Sequence, residues 1–300
     1  MPMTDGRRQE LDATAVALLL TCCLIWGVNQ VAAKVALAEI PPLMQAAARS
    51  AGAAVLIVLW ARWRGLVLWN RDRTLAAGVL CGLLFAAEFG CIFVGLQYTA
   101  ASRIIVFIYF APFVVALGMP LIARQERLSA RQTLGLAVAF AGVVWAFVEG
   151  FRAPAHGPDQ WLGDALGIAA AVLWGGTTLL MRGTRLSTAL PEKTLLYQLV
   201  VSAVALAAAS WVAGEAWPRV LTSASLGPLA FQTVVVTFVS YLMWFWLVRH
   251  YPATKISVFT LLAPVLGLVA GVVLLGEPLT LRIVAAVAAV ALGIVLVNRR

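Results

Sequence analysis

Ten runs of roughly 17–23 mostly apolar residues follow one another along the chain, each long enough to cross about 30 Å of hydrocarbon as a helix rising about 1.5 Å per residue. Inside a bilayer a backbone must satisfy its own hydrogen bonds, so such a chain folds as packed membrane-spanning helices. The runs fall at 14–36, 43–61, 75–96, 104–122, 134–149, 162–181, 195–211, 229–248, 256–275 and 281–297. The connections are short and leave no soluble domain. Composition agrees: 62% of the 300 residues are hydrophobic and 12% charged, with a mean hydropathy of +0.94, against roughly 45–50% apolar and 25% charged in soluble domains. The first run is too long for a signal-peptide core and lacks a small-residue cleavage site, so it reads as a retained span.

A net charge of +9 would suggest nucleic acid for a soluble protein, but here the basic residues lie between spans, where they set orientation. Sixteen of the 22 Lys and Arg fall on the side of the termini and four (Arg103, Arg152, Arg219 and Arg282) on the other, with Lys34 and Arg49 inside spans. This bias predicts a multi-pass protein of the cell membrane, the bacterial inner membrane, with both termini cytoplasmic and no nucleic-acid partner. All four cysteines lie inside spans and read as small apolar residues, not as a disulfide or metal framework.

The two halves echo each other. LIWGVNQVAAKVAL at 24–37 lies over VLWGGTTLLMRGTR at 172–185, pairing Trp26 with Trp174, Gly27 with Gly175, Asn29 with Thr177 and Lys34 with Arg182. Further on, Tyr98 pairs with Tyr251, Ala111-Pro112 with Ala263-Pro264, Glu126-Arg127-Leu128-Ser129 with Glu277-Pro278-Leu279-Thr280, and Gly142 with Gly293. Repeats at 14–149 and 162–297 each hold five spans, an odd number, so the second must enter the membrane from the opposite side. Inverted repeats about an axis in the membrane plane are a recurring transporter design with a site near the midplane.

On these paired motifs the chain resembles the drug/metabolite transporter superfamily and, within it, the EamA-type ten-helix exporters. The resemblance covers nearly the whole chain. It implies an all-α integral membrane fold in which the first four helices of each repeat surround a central cavity and the fifth pack peripherally, where two copies could pair as a homodimer. It also implies export of amino acids, aromatic ones included, or of other small metabolites. Other branches carry sugar phosphates, nucleotide sugars or toxic organic cations, and fold alone does not select among these.

Glu88 lies near the middle of the third span, where an isolated carboxylate is costly, so it reads as a substrate or proton site unless it pins two helices together. Arg49 lies about six residues, roughly 9 Å, inside the outer end of the second span: it either pairs with Glu88 or a substrate carboxylate, or snorkels to the interface. Asn29 and its repeat partner Thr177 can line the cavity with neutral hydrogen-bonding groups. Trp26, Trp174, Tyr98 and Tyr241 offer ring faces to an aromatic or cationic ligand. Aligning the halves sets Tyr241 opposite Glu88 and Gln198 opposite Arg49, so charge occupies one half only. Pro112 and Pro264 remove a helix hydrogen bond at matching depth and are the expected hinges. No nucleophile elbow, phosphate-cradling glycine loop or zinc motif appears, which predicts a non-enzyme without a cofactor whose partners are a small-molecule substrate and the lipid bilayer.

Overall fold

Asp12 opens the first helix by accepting a hydrogen bond from the Ala15 backbone N–H at 2.8 Å, which satisfies one of the donors a helix start leaves over. Prolines in the first helical turn start two others, and Ser129 with Gln132 forms a reciprocal capping box for a fourth. The structure is a computed structural model that describes residues 10–95, 97–99, 101–152, 157–216, 218, 221–275 and 281–298. The helices are α1 (Ala13–Ala36), α2 (Pro42–Trp63), α3 (Leu75–Gly95), α4 (Ala101–Ile108), α5 (Ala111–Ile122), α6 (Ala130–Ala146), α7 (Val148–Arg152), α8 (Gln160–Gly183), α9 (Pro191–Val212), α10 (Ser223–Phe231), α11 (Tyr241–His250), α12 (Ala253–Phe259), α13 (Leu262–Leu275) and α14 (Leu281–Asn298). No strand occurs among the described residues.

Seven segments are long and apolar enough to cross a membrane: Pro42–Trp63, Leu75–Gly95, Arg103–Ile122, Gln160–Gly183, Pro191–Val212, Ser223–His250 and Ala253–Ala270. Three shorter apolar stretches, Ala13–Asn29, Ala130–Ala146 and Val284–Asn298, accompany them. The expected helices at 104–122 and 256–275 are each broken. The first breaks at Tyr109–Phe110 and the second at Thr260–Leu261, just ahead of Pro112 and Pro264, whose missing N–H groups and bulky rings disfavour a continuous helix. Between α10 and α11 a π-helical stretch, Gln232–Ser240, interrupts the expected regular helix at 229–248. The stretch at 134–149 also differs: α6 begins at Ala130, where Ser129 caps it, and ends at Ala146.

Contacts between the two halves come in matched pairs. α1 packs on α13 as α8 packs on α5; α3 lies against α8 as the α10–α11 segment lies against α1; α3 meets α9 as the π-helical stretch meets α2; α2 packs on α9, and α6 on α14. The repeated glycines explain the closeness. A Cβ added at Gly27 would sit 3.0 Å from the Ala263 carbonyl oxygen, and one at Gly175 would sit 3.2 Å from that of Ala111. The Trp-Gly motif of each half thus packs on the Ala-Pro motif of the other: the glycine lets a long helix approach the break of a short one. Gly135 and Gly293 do the same for α6 and α14, since a Cβ at Gly135 would lie 2.7 Å from the Gly293 carbonyl oxygen. Gly78 and Gly82 of α3 receive Tyr197 and Val201 of α9.

Candidate functional site

Arg49 does not reach for the interface. Its residue is 4% exposed, its guanidinium carbon stands 4.2 Å over the Phe89 ring centre, and it faces the Tyr241 hydroxyl and the Glu88 carboxylate. Stacking on a ring face is a favourable setting for a desolvated guanidinium. Nε and Nη2 are nonetheless buried without a hydrogen-bond partner, which costs more than 1–3 kcal/mol or so for a charged donor. Glu88, 8% exposed, lies within electrostatic range of Arg49, Tyr109 and Tyr241, yet forms no ion pair within 4.0 Å among the described residues.

Aromatic rings enclose these charges. Trp26 of α1 meets Tyr241 and Trp244 of α11 with ring centres 6.4 and 5.5 Å apart, Phe85 of α3 meets Tyr241 at 6.0 Å, and Tyr109 meets Trp174 of α8 at 5.7 Å. The cluster therefore draws on α1, α2, α3, α8 and α11 and on the break between α4 and α5. The Trp26 indole N–H donates to Ser240 Oγ at 2.8 Å, at the end of the π-helical stretch, so Trp26 presents its ring alone. Trp174 also lines a narrow pocket with Pro112, Trp244, Ser257 and Thr260, against the breaks of both short helices.

The remaining expected residues are placed differently. Asn29 carries a buried Oδ1 without a partner. The Thr177 hydroxyl donates to the Leu173 carbonyl of its own helix at 2.9 Å, a bond that uses its proton and leaves its oxygen as an acceptor. Tyr98 stands in the turn after α3, with its backbone N–H bonded to the Gly95 carbonyl. Gln198 is buried in α9, which packs on α2. The Glu277-Pro278-Leu279-Thr280 motif and the side chain of Lys34 lie outside the described residues. Gln45 was missed: one turn before Arg49, it is 2% exposed, donates to the Ala33 carbonyl at 3.5 Å and keeps Oε1 without a partner. An amide four residues from an intramembrane arginine was the available signal. Phe85 and Phe89 carried no signal distinguishing them from lipid-facing phenylalanines.

Two basic residues that read as connection charges are buried and paired. Arg182 forms an ion pair with Glu126 and donates to the Val248 carbonyl at 3.1 Å, while Glu126 accepts the Ala253 N–H at the start of α12 at 2.7 Å. Lys193, 3% exposed, bonds Asp72 at 2.8 Å and the Asn70 carbonyl at 3.0 Å. Hydrogen bonds from Lys193 and then Thr74 hold the Asp72 carboxyl down at about 2. Elsewhere Arg103 pairs with Asp164, which also accepts from Thr99 at 2.9 Å, and Glu215 accepts the Leu43 and Met44 N–H groups at 3.0 and 2.9 Å to cap α2. Bonds from Ser225 and Thr222 hold the Glu39 carboxyl below the usual range. These contacts tie first-half elements to second-half elements around the rims of the bundle.

No group of three metal-ligating side chains occurs among the described residues. A buried acid, a buried guanidinium and a ring-lined surround can bind a small polar molecule with an apolar part.

A family model described as the EamA-like transporter family matches residues 13–148 and again 161–299. The chain is 29% identical over 97% of its length to the uncharacterized transporter YvbV of Bacillus subtilis, covering 94% of that protein. It is 27% identical to a probable amino-acid metabolite efflux pump of Salmonella typhimurium, covering 88% of this chain and 87% of that one. A similarly named Escherichia coli protein is 26% identical over the same shares. Among solved structures, one titled only as the crystal structure of a protein superposes with a TM-score of 0.82 at 18% identity, covering 95% of this chain and 96% of the other, a likeness of fold.

Proposed function

The chain belongs to the EamA-like transporter family, and from that membership we propose that it exports small organic metabolites, amino acids foremost, by alternating access. The carrying observation is the central cluster: Arg49 and Glu88, buried and not bonded to each other, inside rings supplied by both halves. Such groups are expensive in a bilayer interior unless a ligand or water engages them. Relatives named as probable amino-acid metabolite efflux pumps favour amino acids as cargo.

Ten spans in two inverted repeats, 14–149 and 162–297, are the arrangement we infer. The matched contacts across the halves support it, as does the double family match. In this reading the breaks ahead of Pro112 and Pro264 are the hinges, because half-helices can tilt there without breaking a backbone ladder. The rim contacts separate and reform as the halves rock, so that the central cluster faces one side at a time. Efflux of organic cations is the second reading, favoured by the Glu88 carboxylate among Phe85, Tyr109 and Tyr241. A sugar phosphate fits less well, since Arg49 is the one cation at the cluster among the described residues.

Deletion and re-expression in the native cell test the cargo. Cells lacking the protein are expected to become sensitive to toxic amino-acid analogues, with tolerance restored by expression. Unchanged tolerance and amino-acid flux, together with movement of a quaternary cation or a sugar phosphate, would pass the function to the other readings. Topology is tested separately: a reporter active only in the cytoplasm should work when placed near Arg71 or after Arg300, and activity near Ala155 would contradict the inverted arrangement.

A further inference from the structure

The connection between α2 and α3 holds the densest run of arginine in the chain: Arg62, Arg64, Arg71 and Arg73, against the single acid Asp72. Asp72 does not neutralise them, because it is turned inward onto the buried Lys193, whose Nζ also bonds the carbonyl and Oδ1 of Asn70. Those bonds fix the connection to the start of α9. Its outer side is left to the four arginines, all exposed and none in an ion pair among the described residues. Between the two arginine pairs the chain alternates. Leu68 is 5% exposed and sits in the core, whereas Val67 and Trp69 are 68% and 80% exposed, as is Trp63, at 76%, at the end of α2. The Arg64 guanidinium carbon stands 5.4 Å from the centre of the Trp60 ring, which lies 5.2 Å from that of Trp63. Arg73 takes a φ of +58°, alone among the described non-glycine residues in having a positive value. Glycine adopts that backbone at less cost, so the turn by itself does not call for an arginine.

We propose that this edge is a docking site for an anionic glycerophospholipid, its phosphate engaged by Arg62, Arg64, Arg71 and Arg73 and its acyl chains lying along Trp63 and Trp69. The level in the bilayer fits, since one spanning helix ends and the next begins here, where headgroups lie. Guanidinium forks match phosphate oxygens, and tryptophan rings settle at the boundary between headgroup and hydrocarbon. Basic residues at the end of a span attract anionic lipid by about fivefold each. Phosphatidylcholine is disfavoured, because it brings an ammonium with its phosphate and the arginines repel it. Charge that served only to orient the chain would need neither the exposed rings between the arginines nor the inward turn of Asp72. The corresponding connection of the second repeat, 213–222, carries Arg219 with Glu215, and Glu215 is spent on capping α2. The site therefore belongs to one leaflet, the cytoplasmic one in the orientation proposed above.

Native mass spectrometry of the full chain in detergent, with phosphatidylglycerol and phosphatidylcholine of the same acyl chains in equal amounts, tests the assignment. The parent protein is expected to retain phosphatidylglycerol at least about tenfold more tightly than phosphatidylcholine. Arg62→Gln with Arg64→Gln, or Arg71→Gln with Arg73→Gln, should weaken that retention by about fivefold for each arginine removed. Arg124→Gln with Arg127→Gln, an exposed pair in the α5–α6 turn, should leave it unchanged. Trp69→Ser should weaken it severalfold, and an excess of soluble glycerol 3-phosphate should not displace the lipid. The choice between two lipids on the parent needs no variant, so a misfolded variant does not obscure it. Equal retention of both lipids by the parent, or equal loss from the Arg124/Arg127 pair, would overturn the site. Displacement by glycerol 3-phosphate would show that the arginines take a free phosphate and not a lipid, and would overturn it too.

Discussion

Glu126→Gln isolates one charge at a rim of the bundle. The substitution keeps the shape and leaves an amide oxygen to accept the Ala253 N–H, so what it removes is the negative charge beside Arg182. Both side chains are buried, 3% and 5% exposed, and breaking such a pair by neutralising one partner costs about 3–5 kcal/mol. With an unfolding entropy of about 2.1 cal/mol/K per residue, a 300-residue chain has roughly 0.6 kcal/mol/K, so the midpoint of thermal unfolding should fall by about 5–8 °C. The assay is loss of the monodisperse peak after heating in detergent. Because the penalty belongs to the stranded charge, Glu126→Gln combined with Arg182→Met should recover much of the loss. No fall in the single variant, or no recovery in the double, would show that this pair does not hold the α5–α6 turn to α8 and α12.

Gly135→Val should destabilise more than Gly135→Ala, each by about 1–3 kcal/mol, because the added atoms meet the Gly293 carbonyl; equal midpoints for both and the parent would contradict the close α6–α14 packing. For Asp72 the folded carboxyl titrates at about 2, below its ordinary value of 3.8, so its pairing with Lys193 stabilises fully above about pH 4 and is lost as pH falls towards 2. Asp72→Asn should therefore lower the unfolding midpoint at pH 6 and flatten its dependence between pH 4 and 2, with no new dependence between pH 6 and 8. Pro264→Ala restores a backbone donor just after the α12–α13 break, and is expected to slow transport while leaving calorimetric binding of cargo unchanged. An unaltered rate would remove the hinge role.

Much of the architecture could be read from residue order, because bilayer crossing demands apolar length and the chain supplies it repeatedly. The motifs of the two halves also announced a repeat, though not what they do; only packing shows Gly27 seated against the Ala263 carbonyl and Gly175 against that of Ala111. Hydropathy located Arg49 along its helix but not around it, and the direction of the face decides between snorkelling and burial. The same blindness hid Gln45, and it made Arg182 and Lys193 look like connection charges when each is turned inward onto a carboxylate. Thr177 followed from alignment with Asn29, yet a threonine in a helix can bond the carbonyl one turn back, and this one does. The π-helical stretch had no signature in composition; it packs against α1 and α2, far away in the chain.

Counterflow of labelled L-phenylalanine into proteoliposomes preloaded with the unlabelled amino acid tests the transport site most directly. The parent protein should give a transient accumulation above protein-free vesicles, and Arg49→Gln should abolish it while remaining monodisperse and folded. Counterflow by Arg49→Gln equal to that of the parent, or none by the folded parent, would contradict an amino-acid exporter built around this buried arginine.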